Sequence, residues 1–310
     1  MDKRALVSEI EELKKQRSAV ILAHYYTSPD VQDVADYVGD SFGLSKKAAQ
    51  FDCETLVFCG VRFMGESAKL LSPQKTVLLP APEADCPMAH MVEDGFIERV
   101  RETYEDLAVV CYVNSTARIK ALSDVCVTSS NALAVVSSLP ERNIAFVPDR
   151  HLGRFIAEML PEKNFILNPG YCPIHDAMFA EEIKALKAGH SEAKVLVHPE
   201  CNESVMALAD YAGSTAGIID YAVRGDAKEY IVGTVGGVVH QMKRMTEGSG
   251  KRFFLPATKP TCTDMDLVTL ENVRDCLRAG VGSCYEVAPL PDSEGQRARA
   301  AMLRMLELSK

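Results

Sequence analysis

Three cysteines sit in short loops rich in proline or glycine: Cys86 in EADCPMAH, Cys172 in NPGYCPIH and Cys262 in KPTCTDMD. Three thiolates meeting at one point leave a fourth coordination position open. That suits a cubane iron–sulfur cluster with one iron accessible to substrate, or a zinc site with an open position. No pair has a Cys-x-x-Cys spacing, so local spacing alone does not make these residues ligands. A second group, His24, Tyr26, Tyr112, His198 and Glu200, lies at or just beyond the ends of β-branched runs and could supply general acids and bases.

An internal repeat brings the two groups together. SAVILAHYYTSPDVQDVADYVGDSFGL from Ser18, DLAVVCYVNSTARIKALSDVCVTSSNAL from Asp106 and EAKVLVHPECNESVMALADYAGSTAGII from Glu192 align without gaps, at offsets of 88 and 86 residues. In each, an apolar run ends in His24, Tyr112 or His198; twelve residues later comes Asp36, Asp124 or Asp210, and seventeen residues later Ser41, Ser129 or Thr215. The apolar runs around Phe58, Phe146 and Val232 follow the same anchors by 34 residues, and Lys75, Lys163 and Lys251 keep nearly the same spacing from them. Cys86, Cys172 and Cys262 fall 62, 60 and 64 residues after the anchors, one thiol per unit. Fixed spacing of this kind marks one architecture built three times.

Each unit reads as strand (18–23), helix, short strand, helix (42–50), strand (55–59), helix (63–72) and strand (76–80). The apolar runs are too continuous for a one-sided sheet, so the expected fold class is α/β, with parallel sheets covered on both faces and three units around a pseudo-threefold axis. The boundaries read as 1–88, 89–175 and 176–264, followed by a helical segment, 265–310, that packs back on the first repeat. Ligands of open parallel sheets lie beyond the carboxyl ends of the strands, so the three anchors should face one site. Two residues past them the units diverge to Tyr26, Asn114 and Glu200, which points to one asymmetric site rather than three copies. Ser41, Ser129 and Thr215 are expected to cap helix N-termini, where free N–H groups favour anions. Cys53, Cys59, Cys111, Cys126, Cys276 and Cys284 read as buried thiols among apolar neighbours, with Cys201, beside Glu200, undecided.

Composition narrows the function. Ten cysteines without a secretory leader suggest a reducing, cytoplasmic setting rather than a disulfide framework, and no apolar run approaches a membrane span. A net charge of −9 with scattered Lys and Arg disfavours nucleic acid. No Gly-x-Gly-x-x-Gly follows a strand, which disfavours a plain dinucleotide enzyme. An electron-transfer or iron-sensing protein would be expected to have four cysteine ligands and a shielded cluster. Another hydro-lyase with an open iron is compatible with spacing alone.

AHYYTSPDVQDVADYVGDS (23–41), GVRFMGESAKLLSPQKTVLLP (60–80), DCPMAH (85–90), YVNSTARIKALSDVCVTSSNA (112–132), PGYCPIH (169–175) and HPECNESVMALADYAGST (198–215) together resemble the quinolinate synthase family over roughly residues 5–308. The resemblance implies three Rossmann-like α/β/α domains around a central cavity and a 4Fe-4S cluster held by Cys86, Cys172 and Cys262. It also implies condensation of iminoaspartate with dihydroxyacetone phosphate to quinolinate, a precursor of NAD, with an aspartate-oxidising enzyme upstream as a possible transient partner. The substrate-contacting residues it implies are His24, Tyr26, Ser41, Met64, Tyr112, Val113, Asn114, Ser129, His175, His198, Pro199, Glu200 and Thr215. This chain departs from the family pattern at Asp264–Met265–Asp266, where relatives often read Asn-Met-Lys, and at Val235, where an acidic residue is common.

Overall fold

The structure, a computed structural model, describes residues 2–310. Twelve short strands form three separate four-stranded parallel sheets. The first holds β1 (Ala19–His24), β2 (Tyr37–Gly39), β3 (Thr55–Cys59) and β4 (Thr76–Leu78); the second β5 (Leu107–Tyr112), β6 (Val125–Val127), β7 (Asn143–Val147) and β8 (Asn164–Leu167); the third β9 (Lys194–Val197), β10 (Tyr211–Ala212), β11 (Glu229–Gly233) and β12 (Arg252–Phe254). Each sheet has the same order, second strand, first, third, fourth. Helices cross between strands, as parallel pairing requires, and β3 is buried at every position because both faces of its sheet are covered.

The residues repeated in all three units hold the units' own frames. Asp36, Asp124 and Asp210 each accept a hydrogen bond from a backbone N–H of their unit's first strand, at Ile21 (2.8 Å), Val109 (2.7 Å) and Val195 (2.8 Å). Their own N–H groups donate to the carbonyls of those same residues. The carboxylate thereby fixes where the chain re-enters the sheet as the second strand. Lys75, Lys163 and Lys251 each place Nζ on the last carbonyls of their unit's second helix: Ala48 at 2.8 Å, Leu139 at 2.8 Å and Ala222 at 2.8 Å. A cation there satisfies acceptors the helix leaves open and meets the negative end of its dipole.

Three expectations change. Helix Ser41–Gln50 is capped by Asp40, whose Oδ1 accepts from the Gly43 N–H (2.8 Å), and helix Thr215–Arg224 by Ser214, which accepts from the Gly217 N–H (3.1 Å). Ser41 and Thr215 are thus first helical residues, not caps. Ser129 stands two residues before Asn131, the residue that leads into helix Ala132–Ser138. The capping oxygen must come from the residue with extended backbone just outside the helix, which leaves the next hydroxyl free. The C-terminal segment also divides its contacts. Helix Leu270–Ala279 lies on helix Lys3–Gln16 and β3 of the first unit, whereas helix Asp292–Leu308 lies mainly on helix Ala117–Leu122 and β6 of the second, and also on helix Arg62–Leu71 of the first. Its buried Ala298, Ala301, Met302 and Met305 face both. Finally, Cys284 is exposed, in the turns after helix Leu270–Ala279, and Cys53 is only half-buried; Cys59, Cys111, Cys126 and Cys276 are buried. No helix among the described residues is long and apolar enough to cross a membrane.

Candidate active site

The strand ends of the three sheets surround one cavity of about 130 Å³. His24, Tyr26, Ser41, Met64, Cys86, Tyr112, Asn114, Ser129, Cys172, His175, His198, Glu200, Thr215 and Cys262 all line it. Val113 and Pro199 do not. Both are buried beside the strand-end residues Tyr112 and His198, and the Val113 N–H donates to the Val127 carbonyl. Asp40, Phe63, Val235 and Asp264 also reach the cavity.

Each of the three cysteines immediately precedes a single helical turn: Pro87–His90, Pro173–Asp176 and Thr263–Asp266. Their backbones are nearly superposable, with φ/ψ of −98/116, −81/114 and −92/106°. This geometry turns backbone N–H groups toward the sulfur, those of Met88 and Ala89, of His175, and of Asp264 and Met265, and these favour the thiolate. Burial acts the other way and raises all three thiols above the ordinary cysteine range. A positive centre shared by the three would offset that burial. The donor set therefore fits a three-thiolate metal centre. Cys201 is no fourth member: its buried sulfur faces Met178 and the Gly233 carbonyl.

The imidazoles at the strand ends are fixed by the repeat. The Tyr26 N–H donates to His24 Nδ1 (3.2 Å), and the Glu200 N–H donates to His198 Nδ1 (3.3 Å). In both rings the hydrogen is left on Nε2, as a donor; that of His198 reaches Ser129 Oγ at 3.3 Å. Burial pushes His24 down to about 3 and His198 to about 4, so both are neutral near neutral pH. Burial would push the Glu200 carboxyl up, but His198, His175 and the Tyr112 hydroxyl prevail and hold it below the ordinary carboxylate range. It accepts from Tyr112 Oη at 2.6 Å and lies 2.8 Å from His175 Nδ1. Burial and the nearby Glu200 charge keep Tyr26 and Tyr112 protonated. The site thus holds one buried anionic base among hydrogen-bond donors, a constellation suited to taking a proton from carbon and returning one to a leaving oxygen.

Asn114 Oδ1 is buried with no hydrogen-bond partner. A buried polar atom without a partner on the wall of a cavity marks where a ligand must supply one. Cys172, His175 and Glu200 also bring ligand atoms within 4.8 Å of one another. This couples the acid–base cluster directly to one of the thiols.

Thr234 was not singled out by its residue type or spacing, yet it is fully buried and connects two units. Its Oγ1 lies 2.9 Å from His175 Nε2 and 2.9 Å from Tyr26 Oη, and Tyr26 Oη lies 2.9 Å from Thr215 Oγ1. The signal was available one residue past the third strand of each unit, where Gly60, Pro148 and Thr234 correspond: only the third carries a hydroxyl.

A sequence model described as Quinolinate synthetase A protein matches residues 8–307. Curated relatives named quinolinate synthase include one from Clostridioides difficile, 48% identical over 90% of each chain. Another, from Caldicellulosiruptor saccharolyticus, is 45% identical over the whole of both chains, and one from Geobacter metallireducens is 43% identical over the whole of both.

Proposed function

The chain belongs to the quinolinate synthetase A family, and on that premise we propose that it condenses iminoaspartate with dihydroxyacetone phosphate to quinolinate, releasing phosphate and two waters. The observation that carries this reading is the buried, ionised Glu200 between Tyr112 and His175, in the same cavity as three thiols. Cys86, Cys172 and Cys262 would hold a 4Fe-4S cluster, which when bound supplies a Lewis acid for substrate oxygens.

The protein's own groups account for the rest. Glu200 removes the protons that triose isomerisation and dehydration require. Tyr112, hydrogen-bonded to it, donates toward a leaving oxygen, and the Nε2–H groups of His24 and His198 orient substrate carboxylates or hydroxyls. Ser41 and Thr215 present hydroxyls not used as caps at the first turn of ten-residue helices, where backbone N–H groups and the helix dipole favour anions such as carboxylate and phosphate. Ser129 adds a third hydroxyl from the second unit, and Asn114 supplies an amide to the bound substrates. Walls formed by Phe63, Met64 and Met265 limit water around the reactive imine. An aspartate-oxidising enzyme would supply iminoaspartate upstream.

Anaerobic purification and reconstitution should give about four irons per chain with broad visible absorption. Cys86→Ala, Cys172→Ala and Cys262→Ala should each lose both the iron and quinolinate formation. Glu200→Gln should keep the absorption while turnover falls by about 10² to 10⁴. Bound zinc, or a cluster that survives loss of any one of the three cysteines, would overturn the reading.

A further inference from the structure

We infer that Cys111 and Lys120 form a buried thiolate–ammonium pair in the second unit, an ionised sulfur outside the cavity that holds Cys86, Cys172 and Cys262.

The internal repeat isolates this pair. Cys111 stands opposite Cys126 where β5 pairs with β6; the same register holds Ala23 and Val38 in the first unit, and Val197 and Ala212 in the third. Nine residues after Ala23, Cys111 and Val197 come Gln32, Lys120 and Met206. An apolar pair thus accompanies a neutral side chain twice, and two thiols accompany the one cation. Gln32 shows that a neutral group can fill the slot. Its Nε2 donates to the Thr27 carbonyl at 2.8 Å, as Lys120 Nζ donates to the matching Ser115 carbonyl at 2.5 Å. That carbonyl alone therefore does not call for an ammonium.

Lys120 is fully buried, and no carboxylate of the described residues is paired with it. Its Nζ lies 5.4 Å from the centre of the Phe63 ring. A buried charge needs a counter-charge, and the nearby sulfur is the group that can carry one. Ser115 Oγ, buried with no oxygen or nitrogen partner, also favours charge on that sulfur. On the other side of β5, Val147 stands opposite Cys111 and adds no charge. Burial opposes a thiolate, but Cys126, Lys120 and Ser115 outweigh it and bring Cys111 down to about 7. Burial and the charge on Cys111 keep Cys126 protonated, so Cys126 is the donor between the two sulfurs. Burial of Cys59 and Cys276, by contrast, pushes their thiols up. As a neutral thiol, Cys111 would turn its hydrogen to the Tyr112 carbonyl, 3.3 Å from Sγ, and leave the ammonium uncompensated.

The S–H stretching band in Raman spectra of the reconstituted enzyme at pH 8 reads the state of Cys111 directly. An ionised Cys111 contributes only about a tenth of one thiol's share to that band. Cys111→Ser should therefore leave the band area nearly unchanged, whereas Lys120→Met should add about one share as the sulfur takes up a proton. Loss of more than half a share in Cys111→Ser, or no gain in Lys120→Met, would overturn the inference. Thermal unfolding gives an independent reading. Cys111→Ala strands the buried ammonium and should lower the midpoint by about 5–10 °C. Combining Cys111→Ala with Cys126→Val and Lys120→Gln copies the first unit's set and should come within about 3 °C of the parent. A triple variant as unstable as Cys111→Ala would also overturn the pair. If Lys120→Met does not fold, the Cys111→Ser band and the triple variant still decide.

Discussion

The first two units and the third are built on one plan but held together differently. The buried apolar residues of the first two form a single cluster, running from Leu6 to Leu160 and taken up again by Met265 to Met305. The third keeps two small clusters, one on each face of its sheet: Val195, Val197 and Ile231 on one side, Leu196, Tyr230 and Val232 on the other, following the alternation of strand side chains. Beyond Tyr25 and Tyr26 of the first unit, which pack against the second of these clusters, it meets its neighbours through polar groups. Gln32 Nε2 donates to the carbonyls of Tyr25, Thr27 and Gly237, and Gln241 Nε2 donates to Gln32 Oε1. Gly237 allows this seam, since a Cβ there would stand 2.6 Å from the Tyr25 carbonyl oxygen. Two units are fused by a shared core, and the third is docked by directional bonds that include the site itself. The same plan can therefore supply a rigid half and an adjustable half.

The largest test of that contrast is Phe146→Ala, at a fully buried β7 position. It should cost about 3–5 kcal/mol, and hydrogen exchange should quicken in β1 and β3 of the first unit as well as in β5 and β7, while β9 and β11 change little. Exchange confined to the second unit would break the comparison. Gln32→Leu should cost about 2–3 kcal/mol through buried carbonyls left without donors. Its signature is local: faster proteolysis and exchange around 236–245, with the first two sheets unchanged. If the first two sheets loosen equally, the third unit is not separately docked.

A smaller effect belongs to what all three units share. Lys75→Met, Lys163→Met and Lys251→Met should each cost about 1–2 kcal/mol by removing a helix C-terminal cap, seen as similar drops in thermal midpoint. Smallest is the Asp210 brace. Burial opposes its ionisation, but the Val195 N–H and Lys194 hold its carboxyl below the ordinary carboxylate range. A depressed pKa stabilises the fold above the unfolded value near 4 and ceases to do so as pH falls through the folded one. Asp210→Asn should therefore lower stability modestly at pH 7, by a loss that fades as pH falls from about 5 to 3, so that the acid limb is flatter than the parent's.

Much of this was readable in the residues because the scaffold repeats itself. Asp36, Asp124 and Asp210 bond within their own unit, so the same residue recurs at the same spacing. The three cysteines could be grouped by their place in the repeat although no two are close in sequence. Cap assignment was off by one residue at Asp40 and Ser214, because a run such as Gly-Asp-Ser or Gly-Ser-Thr offers two side-chain oxygens in succession and only backbone direction selects between them. Thr234 escaped notice because its partners, Tyr26 and His175, come from the other two units at separations of 208 and 59 residues. The role of Lys75 was hidden for the same reason, since its acceptors lie 27 and 24 residues back.

The helix Asp292–Leu308, which lies across the first and second units, has a consequence for biosynthesis. Its buried Ala298, Ala301, Met302 and Met305 complete a core whose other walls, apart from those between Met265 and Leu277, are translated before the entire third unit. The buried members of the third unit's clusters all fall between Met178 and Met242, so that unit can close as it leaves the ribosome, while the two ahead of it wait with an apolar stripe open on helices Arg62–Leu71 and Ala117–Leu122. The half that ends up most tightly fused is thus the last to be sealed, and a ribosome stalled near codon 290 would present that stripe to chaperones.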